Sequence, residues 1–268
     1  MPKLSIITVN LNNKPGLIET AKSIVAQTWT DYEWIVIDGG STDGSVDVIK
    51  EYAGKIDKLV YWCSEPDDGV YQAMNKGIDI VVGEWLNFMN SGDSFYSKTV
   101  LQSVFETENM DADIIYGDTL RIYSFGPFLE KARPIDNSMK KRVPFIHQSS
   151  FVKTELMKRC KFDETYRICG DQHFFCDCYD NNKKFIYCPL IIAVYDSKYG
   201  ISSNNYLLVD YELARINGSE KKITWKIKYR VYCSIKSLIK KMLPKFIVQK
   251  LEVSIYMRQC ASLKSLFL

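Results

Sequence analysis

The segment FMNSGDSF, from Phe88 to Phe95, places a single carboxylate, Asp93, in a short polar run between apolar and aromatic residues. The preceding GEWLNFM has the composition of a buried strand, so the polar run begins where that strand ends. Asn, Ser, Gly and Asp are the residues that tight turns prefer, and a plain turn is one interpretation. A ligand site is the other, because open parallel sheets bind ligands beyond the carboxyl ends of their strands.

A second polar run follows another apolar strand, in VIDGGSTDGS. Asp38 ends this strand, and the two glycines after it allow a ligand to approach the backbone closely. The run lacks the G-x-x-x-x-G-K-[ST] spacing of a P-loop and the G-x-G-x-x-G spacing of a dinucleotide site. Taken alone, it is equally consistent with a capped helix start and with a ligand site.

The elements that would position these residues alternate over the first ninety residues. Apolar, β-branched runs predict strands at KLSIITVN, YEWIVID, KLVYWCSE and GEWLNFM, and apolar residues at helical spacing predict helices between them. This alternation predicts an α/β fold with a mostly parallel sheet and helices on both faces. The carboxyl ends of the strands would bring Asn10, Asp38, Glu65 and Asn90 to one edge of that sheet.

Length and composition indicate a globular protein. The 268 residues are 46% hydrophobic and 25% charged, which is ordinary for a soluble chain that buries a full core. No run of about 18 uncharged apolar residues predicts a membrane-spanning helix, and the N-terminus lacks the pattern of a signal peptide. The eight cysteines show neither disulfide-framework nor zinc-site spacing. These observations predict a cytoplasmic protein with reduced thiols.

The C-terminal region differs in charge from the rest of the chain. Residues 219–268 carry twelve Lys/Arg and two Asp/Glu, whereas the preceding 218 residues carry 23 basic and 30 acidic groups. In KKITWKIKYRVYCSIKSLIKKMLPKF apolar residues recur every four positions, bordered by lysines and interleaved with aromatic residues. This pattern predicts that residues 206–268 form a basic amphipathic helical tail that binds a membrane surface. Docking on the protein body is the alternative; nucleic acid is not supported, because no reading or stacking motif accompanies the charge.

Four stretches carry a family resemblance: SIITVNLN, EWIVIDGGSTDGS, SEPDDGVYQAMNKGI and GEWLNFMNSGDSF. In this order and spacing they resemble family 2 glycosyltransferases, and among them the branch that builds bacterial capsular polysaccharides and exopolysaccharides. The resemblance is continuous from about Leu4 to Asp93 and patchier to about Tyr195. It implies a GT-A (Rossmann-like) domain over residues 1–205, with a nucleotide-sugar donor half at 1–98 and an acceptor half at 99–205.

The activity that this resemblance implies is an inverting sugar transfer. The donor would be a nucleotide-diphosphate sugar, a UDP-sugar, and the acceptor a hydroxyl of a glycan or lipid-linked glycan in surface polysaccharide biosynthesis. Because family acceptors are often lipid-linked, we expect the tail to hold the protein at the inner face of the membrane. A non-catalytic nucleotide-sugar-binding or assembly protein is one alternative. A nucleotidyltransferase is another, disfavoured because no G-x-G-x-R-type phosphate loop follows the first strand.

The resemblance also assigns residues to the donor. The first strand end would lie against the base, and the carboxylate at the end of the second strand would accept hydrogen bonds from uracil or ribose. Asp67 falls in another nucleotide-facing stretch, whereas we interpret Asp43 as a helix cap. The expected donor-binding residues are Thr8, Asn10, Asp38, Asp67, Asn90 and Ser91.

A divalent metal follows from the position of MNSGD, which corresponds to the family's D-x-D element. The carboxylates of that element bind ribose and Mg²⁺ or Mn²⁺, which neutralises charge on the departing nucleotide. Here Asn90 replaces the first acid and Gly92 occupies the middle position, so only Asp93 remains. One carboxylate with phosphate oxygens and waters can still hold Mg²⁺, so we expect a divalent metal at Asp93.

The acceptor half would supply a general base. RICGDQHFF resembles the family's acceptor-side motif, in which an Asp opens a short helix, and this aligns Asp171 with the base. A helix N-terminus would keep that carboxylate ionised. His173 is the alternative base. In PFIHQSSFVK, His147 and its neighbour Gln148 are possible contacts to the diphosphate or the metal, although a lone histidine is usually structural.

Overall fold

The computed structural model describes residues 1–106, 111–123, 126–197 and 205–242. The part of the predicted tail beyond Met242, including Pro244, lies outside these ranges. The strands are β1 (Leu4–Asn10), β2 (Tyr32–Asp38), β3 (Leu59–Ser64), β4 (Trp85–Phe88), β5 (Ser94–Phe95), β6 (Ile114–Tyr123), β7 (Gly126–Glu130), β8 (Ser150–Lys153) and β9 (Phe185–Asp196). The helices are α1 (Lys14–Val25), α2 (Ser45–Ala53), α3 (Val70–Ile80), α4 (Val100–Phe105), α5 (Thr154–Cys160), α6 (Gly170–Asp180), α7 (Tyr206–Ile216) and α8 (Ile223–Met242).

The strands form one sheet in the order β3-β2-β1-β4-β8-β6-β9-β5, with β7 paired to β6. The four predicted strands β1 to β4 pair in parallel, as the alternation of strands and helices requires. The second half of the chain adds antiparallel pairs, β4 with β8, β6 with β8, β6 with β7 and β5 with β9, and one long parallel pair, β6 with β9. The predicted α/β architecture is therefore confirmed: β1 to β4 are all parallel, and the rest of the sheet is mixed.

Two apolar layers cover the two faces of the sheet. Every residue of β1 and β2 is buried, which explains their continuous rather than alternating apolar character. Alternate residues of β1 face opposite layers: Leu4 and Ile6 pack with α1, α2 and α4, whereas Ile7 and Val9 pack with α3, α5 and α6. Helices on both faces thus hold the strand ends at fixed positions.

The chain divides into two compact units, Met1–Ile216 and Asn217–Leu268. The first unit therefore extends through α7, beyond the domain end predicted at residue 205. In the second unit, α8 has the predicted basic and amphipathic sequence, and its Ile223, Ile227, Val231 and Ile235 are exposed. None of the helices in the described ranges combines the length and the apolar character needed to cross a bilayer.

Candidate functional site

Asp38 joins the carboxyl ends of three neighbouring strands. Parallel pairing sets Asn10 of β1 beside Asp38 of β2, and Asp38 beside Ser64 of β3. The buried Asp38 carboxylate accepts hydrogen bonds from the Asn10 Nδ2 (2.7 Å), the Ser64 Oγ (2.6 Å), and the Ser41 backbone N (2.8 Å) and Oγ (2.6 Å). These bonds fix the turn that follows β2, and they occupy both carboxylate oxygens with donors from the protein itself.

The protonation of Asp38 is set by the same contacts. Burial raises the pKa of this carboxyl, but the hydrogen bonds from Ser41, Ser64 and Asn10 together outweigh burial and hold the pKa below its ordinary value. Asp38 is therefore ionised at neutral pH. Because its pKa is lower in the folded state than in the unfolded state, its contribution to stability is present above about pH 4 and is lost as the pH falls through the folded value.

Replacing Asp38 with Ala is expected to weaken UDP binding and to lower the free energy of unfolding, each by about 1–3 kcal/mol, because buried donors lose their acceptor. Calorimetric titration with UDP and denaturant unfolding measure the two effects. Ser64→Ala, which removes only one of the donors, serves as the matched control and should change both quantities less. Unchanged UDP affinity in a folded Asp38→Ala protein would show that the donor does not bind at this edge.

Asp67 and Thr8, which were also predicted to bind the donor, lie at different depths in the structure. Asp67 is half-buried beside Gly39, where a Cβ on the glycine would lie 2.5 Å from the Asp67 Oδ2, so this carboxylate covers the end of β2. Thr8 is fully buried, and its hydroxyl accepts a hydrogen bond from the Trp34 Nε1 at 3.0 Å. The structure thus brings Asp67 to the edge with Asn10 and Asp38, but it places Thr8 beneath that edge.

The MNSGD run is a tight turn between β4 and β5, held mainly by α1. The buried Thr20 hydroxyl donates to the Asp93 carbonyl at 2.6 Å, lies 3.1 Å from the Asn90 carbonyl, and accepts from the Gly92 backbone N at 3.0 Å. Asn13 donates to the Ser91 carbonyl at 3.0 Å. Gly92 has a φ of 103°, which favours glycine at this position. Both interpretations of the run therefore apply: it is a turn, and the turn carries the candidate site.

The Asp93 carboxylate is buried within this turn. Its Oδ2 accepts from the Gln148 Nε2 at 2.6 Å, and its Oδ1 accepts from the Asp196 backbone N, at the end of β9, at 3.1 Å. Burial raises the pKa of Asp93 to about 7, although the hydrogen bonds from Asp196 and Gln148 act in the opposite direction. This carboxyl therefore exchanges its proton near neutral pH.

A connected set of polar side chains leads from this turn to Asp171. The antiparallel pairing of β8 with β4 brings His147, just before β8, beside Asn90: the Asn90 Nδ2 and the His147 Nε2 are 3.3 Å apart. On its other side, the His147 Nδ1 lies 3.0 Å from the Asp171 Oδ2. Both contacts suit a neutral imidazole with its proton on Nδ1. The neighbouring Gln148 holds Asp93, so the His147–Gln148 pair links the predicted metal and base residues.

Asp171 is the second residue of α6, as the sequence predicts. The Tyr71 hydroxyl lies 3.1 Å from the Asp171 Oδ1, and the Asp171 side chain remains 29% exposed. Burial raises the pKa of Asp171, but the hydrogen bond with His147, aided by the Gln172 amide and Tyr71, holds that pKa below its ordinary value. Asp171 is thus an ionised carboxylate with access to solvent, which a general base requires.

His173, the alternative base, lies in a different environment. Its ring stacks on Tyr166 with centroids 4.7 Å apart, and its Nε2 is 3.9 Å from the Asp177 Oδ2. His173 therefore contacts the loop before α6 and the next turn of that helix, whereas His147, which contacts Asn90, reaches Asp171. The geometry therefore favours Asp171 over His173 as the base.

The residues at the turn fit a small oxygen-seeking cation with few protein ligands. Each Asp93 oxygen accepts one hydrogen bond from the protein, which leaves further lone pairs for a metal. The amide oxygens of Asn90 and Gln148 are buried and accept no hydrogen bond within the described part of the chain. Carboxylate and amide oxygens suit Mg²⁺ and Mn²⁺. Among the described residues, however, no group of three or more His, Cys, Asp or Glu side chains is arranged to hold a metal.

Comparison with known proteins identifies the family. Residues 5–179 match the family described as Glycosyl transferase family 2. The chain belongs to glycosyl transferase family 2. It is 32% identical over 222 residues to a PGL/p-HBAD biosynthesis glycosyltransferase of Mycobacterium tuberculosis, covering 80% of this chain and 83% of the relative. It is 26% identical over 217 residues to an uncharacterized glycosyltransferase of Methanocaldococcus jannaschii, covering 77% of this chain and 73% of that one.

Solved structures share the fold of this family 2 glycosyltransferase. S. aureus TarS 1–349 in complex with UDP superposes with a TM-score of 0.60 at 18% identity, covering 81% of this chain and 65% of TarS 1–349. The mannosyltransferase PcManGT from Pyrobaculum calidifontis, in complex with GDP-Man and Mn²⁺, superposes with a TM-score of 0.62 at 18% identity, covering 80% and 63%. The chain spans less than two thirds of both solved chains. The predicted GT-A fold and the predicted family are thereby confirmed.

Three residues of this family 2 site were not predicted from the sequence. Thr20 holds the MNSGD turn, Asn13 holds Ser91, and Tyr71 contacts Asp171. Thr20 and Tyr71 lie on helices whose apolar spacing predicts only a core-facing surface. The sequence carries no local pattern that marks them, because each acts on a segment more than seventy residues away.

Proposed function

We propose that this protein is an inverting glycosyltransferase that moves a sugar from a UDP-sugar to a hydroxyl of a glycan or lipid-linked glycan during surface polysaccharide biosynthesis. The observation that carries the proposal is the set of contacts that links Asp93 to the ionised Asp171. Gln148 binds Asp93, and its chain neighbour His147 contacts Asn90 with one ring nitrogen and Asp171 with the other. The UDP bound by TarS and the GDP-Man bound by PcManGT support a nucleotide or nucleotide-sugar ligand for the shared fold.

In the proposed reaction the acceptor oxygen attacks the anomeric carbon of the donor in one displacement. The bond from that carbon to the diphosphate oxygen breaks, and its electron pair leaves with the nucleoside diphosphate. Asp171 takes the proton that the acceptor hydroxyl loses, while His147 and Tyr71 hold its two oxygens. A single displacement inverts the configuration at the anomeric carbon.

We place the donor along the carboxyl ends of β1 to β4. Asn10 and Asp67 would face the base and ribose, with Asp38 holding Asn10 and the Ser41 turn in place, and Asn90 and Ser91 would face the diphosphate. Asp93, with the free amide oxygen of Asn90, would hold Mg²⁺ or Mn²⁺, which when bound supplies positive charge that stabilises the leaving diphosphate. The complex of PcManGT with GDP-Man and Mn²⁺ supports a metal in a protein of this fold.

The assay that tests this function measures UDP release from UDP-glucose and UDP-GlcNAc, with and without Mn²⁺, in the presence of glycan acceptors. We expect turnover that requires the native protein and increases with Mn²⁺. A nucleotidyltransferase would instead release pyrophosphate from a nucleoside triphosphate. Binding of a UDP-sugar without turnover under any condition would favour the non-catalytic alternative.

We further propose that α8 places the protein at the cytoplasmic surface of a membrane rich in anionic lipids. Eight Lys/Arg and one Glu occupy residues 219–242. The exposed Ile223, Ile227, Val231 and Ile235 recur every four residues, and Trp225 stacks on Tyr229 with centroids 4.7 Å apart. A helix with this composition lies in the headgroup region with its apolar side chains inserted.

Truncation after Gly218 is expected to leave a folded protein that binds UDP but no longer pellets with phosphatidylglycerol vesicles. The compact first unit ends at Ile216, so the truncation leaves it whole. Each Lys or Arg near an anionic surface contributes roughly 1 kcal/mol, and salt screens this attraction. Sedimentation of the full chain should therefore decrease between low and high salt, and phosphatidylcholine vesicles serve as the control. Full-length protein that ignores the anionic vesicles at low salt would contradict the proposal.

A further inference from the structure

Three backbone amides shortly before Asp171 donate hydrogen bonds to one carboxylate on α7, a helix distant in sequence. Glu212 of α7 accepts three hydrogen bonds from consecutive backbone amides: its Oε1 from Arg167 (2.8 Å), and its Oε2 from Ile168 (3.0 Å) and Cys169 (2.8 Å). The Glu212 side chain is almost completely inaccessible, with 2% of the residue exposed. Cys169 directly precedes α6, and Asp171 is the second residue of that helix.

Backbone hydrogen bonds, and no ion pair within the described part of the chain, balance the Glu212 carboxylate. Within the described part of the chain, no Lys, Arg or His side chain forms an ion pair with Glu212. A buried charge is costly unless hydrogen bonds compensate it, so the three amides must keep pointing at Glu212 for the folded state to be stable. This requirement restricts the backbone conformation of the loop far more than an apolar contact would.

The same loop is held from the opposite side by a residue of the site. The Tyr71 hydroxyl donates to the Ile168 carbonyl at 2.6 Å and also contacts the Asp171 carboxylate. The Ile168 residue is therefore fixed at its N–H by Glu212 and at its carbonyl by Tyr71. One turn further along α7, the Arg215 guanidinium lies 4.1 Å from the Tyr166 ring centroid and donates to the Thr165 carbonyl at 3.3 Å.

We propose that Glu212 is a positioning residue for the transfer reaction: by fixing the Arg167–Cys169 backbone, it sets the direction in which the Asp171 carboxylate meets the acceptor hydroxyl. This inference rests on the proposed role of Asp171 as the base. Glu212 lies outside residues 5–179, the segment that matches the family, and nothing in its local sequence marks it as part of the site.

The expected consequence is a loss of turnover without a loss of donor binding. A misplacement of about 1 Å in a catalytic group can reduce the rate about a hundredfold. Glu212→Ala is therefore expected to lower kcat for UDP release from UDP-GlcNAc by about tenfold to a hundredfold. The affinity for UDP should remain within about twofold of wild type, a difference well below 1 kcal/mol, because the donor edge is built from β1 to β4.

Chemical rescue separates positioning from general structural support. Glu212→Ala removes a CH₂–COO⁻ group, which acetate replaces almost atom for atom in front of the three amides. We expect sodium acetate to restore a substantial part of the lost kcat, and sodium chloride at equal ionic strength to restore none. Asp210→Ala, which removes an exposed carboxylate from the same helix, is the matched control and should retain wild-type kcat.

A second variant covers the case in which Glu212→Ala does not fold. Glu212→Gln keeps the size of the side chain but turns an NH₂ group toward backbone donors, so it should also lower kcat at unchanged UDP affinity. Wild-type turnover in a folded Gln or Ala variant would overturn the inference, as would a parallel loss of UDP affinity and kcat. Absence of UDP release by the wild-type protein would instead contradict the proposed function itself.

Discussion

Replacing Asp171 with Asn is expected to reduce sugar transfer by about 10²–10⁴-fold while leaving UDP binding almost unchanged. The amide keeps the size of the side chain and can still accept a hydrogen bond from His147 or Tyr71. It cannot take the acceptor proton, and general base catalysis is worth about this factor in rate. The measurement compares kcat for UDP release in the presence of acceptor with the calorimetric affinity for UDP.

The matched control for this experiment is His173→Asn, two residues further along α6. His173 stacks on Tyr166 and has no contact with Asn90 or Asp93 among its described interactions, so its replacement should leave kcat within about twofold of wild type, under half a kcal/mol in activation free energy. If Asp171→Asn retained normal turnover and His173→Asn lost it, the assignment of the base would have to be exchanged.

Replacing Asp93 with Asn is expected to remove the dependence of UDP binding on Mn²⁺. Residues that merely support metal ligands cost about 10–100-fold in metal affinity when they are replaced, so loss of the one carboxylate at this turn should cost at least about a hundredfold. UDP titrations with and without Mn²⁺ measure the effect. Asp57→Asn, at an exposed position, is the control and should keep the full effect of the metal.

The pH dependence of the same titration follows from the pKa of about 7 at Asp93. A metal ligand must be deprotonated, so a proton competes with Mn²⁺ below this value. The metal-dependent affinity of the wild-type protein should therefore rise about tenfold per unit as the pH approaches 7, and then level off. Affinity that stays constant from pH 5 to 8 would show that Asp93 is not a ligand.

The free energy of unfolding of the metal-free protein should depend on pH in the opposite direction to the metal-dependent affinity, and this provides a control. Burial places the pKa of Asp93 at about 7 in the folded protein and near 3.8 in the unfolded chain. Between these values the folded protein binds the additional proton, so the free energy of unfolding should fall as the pH rises and become level above pH 7. Asp93→Asn has no proton to lose and should lack this decrease.

Much of the fold and of the donor edge could be predicted because the relevant information is local. The buried strands are continuous apolar runs, and each ends at a polar residue that the parallel register carries to the same edge. The interpretation of Asp43 as a cap is right about its contact but not about its position: Gly44 is the N-cap residue of α2, and Asp43, one residue earlier, accepts from the Ser45 backbone N at 3.0 Å.

The contacts between the two halves of the site and the end of the first unit depend on long-range packing, which a single sequence does not reveal. The contact of His147 with Asn90 requires β8 to lie antiparallel beside β4, and the apolar pattern of β8 does not specify that partner. The domain end was predicted at residue 205 because helical sequence follows it. The structure places α7 in the first unit because Glu212 and Ala214 are buried there, whereas the strong positive charge begins only after residue 218.

Gly92 has a consequence for how this site can change over evolution. Its φ of 103° is rarely adopted by residues with side chains, and an added Cβ would lie 3.3 Å from the Asn13 Nδ2. A single substitution that introduces an acidic residue at this position would therefore place a side chain at a backbone conformation that favours glycine. Adding a second carboxylate at position 92 would therefore require the loop to be rebuilt along with the side chain.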